Sequence, residues 1–227
     1  MADGSAARVR VPSQDRAVRT RAALLRAAQH EFSTRGYAAT TAKTIAARAD
    51  VATGSFYQYF VSKDALLREL AQQRQTELTE RTLALLEAAP PADARSLPAL
   101  ARARMGEVVQ LVIDAHREDP GLHAVLTERR HADPELDALT RSGEHTLVDR
   151  TARLLQRWGT PGDRRATAFV LFGMLEGSVH AHVLGEPAVD DARFVAALVD
   201  ALLRVALPTL AIAAPTRSRG RAAARRS

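Results

Sequence analysis

Between residues 41 and 63 the chain gathers hydroxyl, amide and ammonium side chains in an order that suits contact with nucleic acid. Thr53-Gly54-Ser55 places three small or polar residues in a row at the start of a short helical stretch. A helix entering a major groove needs such a leading end, because its backbone must come close to the bases. Ser55 and Gln58 can read base edges, and the donor–acceptor pair of Gln58 matches adenine. The hydroxyls of Thr41, Tyr57 and Tyr59 suit phosphate oxygens, which fix register without reading sequence. Lys63 brings a positive charge into the first turn of the following helix, beside its amide-rich end.

Other chemistry finds little support. The chain has no cysteine, which excludes disulfides, thiolate metal sites and cysteine nucleophiles and fits a cytoplasmic location. His180 and His182 are two apart, so on a helix they face different directions and serve packing or pocket lining rather than one metal. His30-Glu31 lacks the second histidine of a zinc-protease helix, and no phosphate loop, nucleophile elbow or dinucleotide fingerprint occurs. Asp190-Asp191 opens a helix, where capping is the simpler role. Neither an enzyme nor a cofactor is expected.

Charge is segregated along the chain. Residues 1–63 hold 10 basic against 4 acidic side chains, residues 64–214 hold 17 against 22, and residues 215–227 hold 5 against none. A basic head is a footprint for phosphate. Lys43 and Lys63 are the only lysines, and both fall in that head. Residues 1–11 have no apolar core of signal-peptide length, so no export signal is expected. The apolar stretch 194–214 is interrupted by Asp200, Arg204 and Pro208, which argues against a membrane span.

The elements that must hold these residues are all helical. Apolar residues recur with period 3.6 and nowhere convincingly with period 2, so an all-α fold is predicted. Val18, Ala22, Leu25, Ala28 and Phe32 mark the inward face of a first helix that stops near Gly36. Thr40 or Thr41 caps a short second helix carrying Ile45 and Ala46 inward. A tight turn follows, in which Asp50 takes a left-handed conformation and Val51 plugs the core. The third helix spans 53–59, with Phe56 and Phe60 inward, and Ser62 caps a long fourth over 63–86. Further helices are expected over 97–116, 120–129, 134–158, 164–184 and 190–207. The division is a flexible basic arm at 1–14, a helix-turn-helix domain at 15–62, a helical body at 63–212 and a disordered Arg-rich tail at 213–227.

The runs 36–46, 51–60 and 62–67 (Gly-Tyr-Ala-Ala-Thr-Thr-Ala-Lys-Thr-Ile-Ala, Val-Ala-Thr-Gly-Ser-Phe-Tyr-Gln-Tyr-Phe and Ser-Lys-Asp-Ala-Leu-Leu) together resemble the TetR family of transcriptional regulators. The resemblance implies a three-helix DNA-binding domain, a larger dimerising helical domain, and repression relieved by a small molecule. It places phosphate contacts on Thr41, Tyr57, Tyr59 and Lys63, and base-proximal positions on Thr53, Gly54, Ser55 and Gln58, with Lys43 near the groove edge. Asp50 stands where the family usually has glycine, and Ala52 where it usually has serine or threonine.

Within the body, the 164–184 helix is apolar on two faces. Ala168, Phe172, Leu175, Val179 and Val183 form one stripe; Val170, Met174, Gly177, Ala181 and Leu184 form the other. One domain body covers only one of them easily, so a homodimer interface is expected through Phe172, Leu175, Gly177, Val179 and Ala181, joined by Leu198 and Leu202 of the final helix. A small-molecule pocket is expected between facing helices, with Met105, Val108, Leu111, Trp158, Phe169 and Met174 as apolar lining. Arg102, His123 and Glu176 are its polar candidates. The expected partners are a palindromic DNA operator, a small-molecule effector and a second copy of the chain. An architectural DNA-binding protein without an effector is the alternative.

Overall fold

The computed structural model describes residues 12–88 and 97–208. Among them run nine α-helices and no strand: α1 Pro12–Ala39, α2 Ala42–Arg48, α3 Thr53–Tyr59, α4 Lys63–Glu87, α5 Leu97–Glu118, α6 Pro120–Arg130, α7 Pro134–Arg157, α8 Arg164–Leu184 and α9 Asp191–Ala206. The all-α expectation holds. The basic arm lies outside the described residues except for 12–14, which begin α1, and the Arg-rich tail lies outside them entirely.

The stop signals act where the sequence puts them, because capping is short-range chemistry. Gly36 interrupts α1 at φ 72°, a conformation that costs glycine little. Asp50 takes φ 55°. Around it Val51 N–H donates to the Ala46 carbonyl at 3.0 Å and Asp50 N–H to the Ala47 carbonyl at 3.3 Å, the two bonds of a Schellman ending. Ser62 Oγ accepts from Ala65 N–H at 3.1 Å. Asp119, Asp133, Asp163 and Asp190 cap α6 to α9 in the same way.

The chain divides into two compact units, one built from the described residues of Met1–Arg81 and Asp114–Thr146, the other from those of Thr82–Ile113 and Leu147–Ser227. In the first unit Leu24, Ala28, Phe32, Ile45, Phe56 and Leu66 are wholly buried. The same core contains Leu122 and Val125 of α6 and Leu136 of α7. The helix-turn-helix segment is thus not sealed within 15–62, for a physical reason: so short a segment buries too little of its own surface. Val18 departs from expectation and is 65% exposed, as no described residue covers the outer turns of α1 on that side.

In the second unit α8 packs on α9. Ala168, Leu171 and Val179 of α8 and Leu198, Val199, Leu202 and Ala206 of α9 are buried. Thr160 Oγ1 donates to the Ala206 carbonyl at 2.7 Å and ties the turn after α7 to the end of α9. His182 is buried, 2.9 Å from Asp191 and stacked on the Phe194 ring at 4.0 Å, which gives it a packing role. The two stripes of α8 part company here. Ala168 and Val179 face inward, whereas Val170, Gly177, Ala181 and Leu184 are exposed. Among the described residues α8, rather than the 194–214 stretch, is the one helix long and apolar enough to cross a membrane.

Candidate nucleic-acid interface

Capping, a tight turn and ring packing hold α2 and α3 as one rigid piece. Thr41 Oγ1 accepts from Thr44 N–H at 3.1 Å while Thr44 Oγ1 accepts from Thr41 N–H at 3.0 Å, a reciprocal capping box. The Asp50 turn then redirects the chain into α3. Phe56 and Phe60 anchor α3 from beneath, ring to ring at 5.9 Å. At Ala52 the N-cap makes no side-chain bond, as its methyl cannot accept one; Ser55 N–H instead reaches the Ala52 carbonyl at 2.8 Å.

This scaffold leaves a polar surface outward. Thr41, Lys43, Thr53, Gly54, Tyr57 and Gln58 are exposed, and Ser55 and Tyr59 are half-buried. Tyr57 is 59% exposed although its ring meets Phe56 edge-on at 5.3 Å, so its hydroxyl end is carried outward on a packed base. A Cβ added to Gly54 would touch nothing within 4 Å. No neighbour in the chain requires a glycine at this point.

Lys63 sits differently from the reading that gave it to phosphate. Its Nζ donates to the carbonyls of Tyr37 and Thr40, each at 2.8 Å, and lies 3.9 Å from the centroid of the Tyr37 ring. The ammonium therefore caps the carbonyl end of α1. Burial lowers its pKa. The Arg129 guanidinium of α6 lies 4.0 Å from the same ring centroid, and the Tyr37 hydroxyl donates to Asp64. Burial first, and then that bond to Asp64, pushes the Tyr37 hydroxyl up to about 12.

Glu31 is a second device that sequence reasoning missed. It is 3% exposed on α1 and accepts from Arg48 Nε at 2.6 Å and from Arg35 at 3.1 Å, tying α1 to the last turn of α2. The Arg48 bond holds its carboxyl below the ordinary range. A lone glutamate in an otherwise inward-facing position of α1, four residues before Arg35, was the available signal. Arg129 gave none, since it is far in sequence from the residues it meets.

The residues expected to line a pocket are dispersed. Met105, Val108 and Leu111 are buried along α5, and Met174 and Glu176 are half-buried on α8. Trp158 is 38% and Phe169 63% exposed. Arg102 is exposed and ion-paired with Asp200, and His123 belongs to the first unit. An open groove of about 760 Å³ does exist in the first unit, but Arg21, Arg68, Glu69, Gln72, Gln73 and Leu139 are among its lining and none of the expected residues is. Of the expected interface residues, Phe172 and Leu175 are half-buried and Gly177 and Ala181 exposed. Val179, Leu198 and Leu202 lie inside the second unit's own core, because the inward stripe of α8 and the apolar face of α9 cover each other.

Comparison with known proteins agrees with this architecture. The profile described as bacterial regulatory proteins, tetR family, matches residues 24–70, and that of a tetracyclin repressor-like C-terminal domain matches residues 102–204. No curated protein matches the chain. A protein from Mesorhizobium loti assigned to the TetR-family transcriptional regulators has a TM-score of 0.66 at 21% identity, over 84% of this chain and 98% of its own. The fatty acid degradation regulator FadR from Bacillus halodurans has a TM-score of 0.63 at 21% identity, over 81% of this chain and 94% of its own. A protein from Saccharomonospora viridis assigned as a transcriptional regulator, solved in complex with choline, has a TM-score of 0.63 at 18% identity, over 81% of this chain and 95% of its own.

Proposed function

The chain belongs to the TetR family of bacterial regulatory proteins, and from that premise we propose that it is a repressor that binds a palindromic operator as a homodimer and leaves it when a small molecule binds. The observation that carries the DNA half is the outward face of α3, polar and small-residued on an anchored helix. Thr53, Gly54, Ser55 and Gln58 approach the bases, with Lys43 at the groove edge. Thr41, Tyr57 and Tyr59 hold the phosphate backbone. Gly54 has no internal reason to be glycine, which supports a close external approach at that point.

The dimer half rests on α8. Phe169, Val170, Gly173, Gly177, Ala181 and Leu184 are exposed along it. A Cβ at Gly173 or Gly177 would meet nothing within 4 Å, so a second helix could come close there. A two-fold dimer also supplies the second recognition helix that one short helix needs for useful affinity. The effector is a small molecule; the buried apolar side chains of Met105, Val108 and Leu111 along α5 are the candidates to line its site. A protein of this kind works in the cytoplasm.

A competition gel shift tests the DNA half. Labelled duplex enriched by the protein from a random pool should resist an excess of unselected duplex. Equal competition by both would favour an architectural DNA-binding protein. For the effector half, small molecules that raise the melting temperature should also release the selected duplex.

A further inference from the structure

An ammonium has three N–H donors, and the Lys63 ammonium meets three acceptors inside its own chain: the carbonyl of Tyr37 at 2.8 Å, the carbonyl of Thr40 at 2.8 Å, and the face of the Tyr37 ring, whose centroid is 3.9 Å away. We infer that Lys63 is a positioning residue, which sets the N-cap of α2 for DNA binding, and not a contact to phosphate. The link between the two is covalent. The Thr40 carbonyl and the Thr41 N–H belong to one planar peptide group, so an ammonium that fixes the oxygen also fixes the direction of the N–H. That N–H donates to Thr44 Oγ1 at 3.0 Å and forms half of the Thr41–Thr44 capping box. Lys63 thus orients the peptide on which Thr41 hangs, and Thr41 is the residue that faces the backbone of DNA.

Tyr37 completes the device. The Tyr37 ring supplies the third acceptor and stacks on buried Phe32 at 6.2 Å. Arg129 lies 4.0 Å from the same ring centroid and 3.7 Å from Asp64, the acceptor of the Tyr37 hydroxyl. A cation on α6 is therefore packed against the same ring that steadies Lys63. Moving Lys63 out to a phosphate would uncover two carbonyl oxygens at the end of α1.

The inference rests on the DNA-binding reading and separates from it by the salt dependence of affinity. Taking one cation away from a phosphate lowers the slope of log K against log salt by about 0.9, or about 1.8 for a two-fold complex. The measurement uses the full chain and a duplex it has enriched from a random pool, with variants Lys63→Met, Lys63→Arg, Tyr37→Leu and Tyr37→Phe. Lys63→Met should weaken binding about tenfold, the size of one charged hydrogen bond, with an unchanged salt slope. Lys63→Arg should weaken it similarly, because a planar guanidinium keeps the charge but does not fit the two carbonyls and the ring. Tyr37→Leu should copy Lys63→Met, and Tyr37→Phe should restore binding, since it keeps the ring. Amide exchange at Thr44 should quicken in the first three variants while overall helicity stays. A salt slope reduced by about 1.8 in Lys63→Met, with full affinity in Lys63→Arg, would overturn the inference while leaving the DNA reading intact. A wild-type protein that enriches no duplex would overturn both.

Discussion

The outward faces of α3 and α8 are both surplus to the fold, and they are opposite in chemistry. α3 presents Thr53, Gly54, Tyr57 and Gln58; α8 presents Phe169, Val170, Gly173, Gly177 and Ala181. The first face is content in water, so nothing in its exposure alone demands a partner. It betrays one through the frame beneath it: a capping box, a left-handed Asp50 and two buried phenylalanines hold a short polar-faced helix in a fixed attitude. The second face needs no frame to be noticed, since a monomer rarely leaves a continuous apolar stripe in solvent. Rigid polar surface points to a partner read by geometry, and apolar surface to one held by area.

The largest effect that separates the two faces should come from Gly177→Glu. A charge without a partner inside an interface costs about 3–5 kcal/mol. The variant should sediment as a monomer, and its affinity for the selected duplex should fall at least on the order of 100-fold. Circular dichroism should be unchanged, because a Cβ at Gly177 meets nothing of its own chain. A dimer of full affinity would move the interface off α8.

Gln58→Ala comes next and acts on the other face. It should cost roughly 1–3 kcal/mol on the selected duplex and much less on unselected DNA, measured by fluorescence anisotropy. Equal losses would reassign Gln58 to the backbone. Tyr57→Phe should be smaller, about 0.5–1.5 kcal/mol, and should fall on both duplexes alike because a hydroxyl on phosphate carries no sequence. The smallest effect should be Asp50→Gly, which relieves a non-glycine residue at φ 55° and should raise thermal stability by about 0.5–1 kcal/mol without changing which duplex is chosen. A destabilised Asp50→Gly protein would mean that the Asp50 side chain itself holds the turn.

What the sequence makes legible follows the range of the chemistry. Gly36, Asp50, Ser62 and the capping aspartates act on residues close to them in the chain, so their patterns suffice to locate helix ends. The two stripes of α8 are legible as a pair, but which one turns inward depends on α9. Val179, Leu198 and Leu202 could not be sorted from Gly177 and Ala181 by periodicity alone. Lys63 shows the limit most clearly. Its position at the start of a helix fits phosphate binding, and only the placement of the end of α1, 23 to 26 residues earlier, reveals carbonyls at its ammonium. Trp158, just past the end of α7, is partly in solvent, and Phe169 lies on the outward face of α8, which periodicity alone could not tell from the inward one.

The central claim, that two α3 helices read one duplex together, is tested most directly by changing the spacing of the half-sites. Half-sites of a two-fold helix-turn-helix protein lie about one turn, roughly 10–10.5 base pairs, apart or at multiples of that distance. Inserting about five base pairs, half a turn, at the centre of the selected duplex turns one half-site to the far side of the helix. Affinity should then drop to that of unselected DNA, and inserting a full turn of about ten base pairs should recover part of it. Affinity indifferent to both insertions would contradict the account, because it would mean that each α3 binds alone.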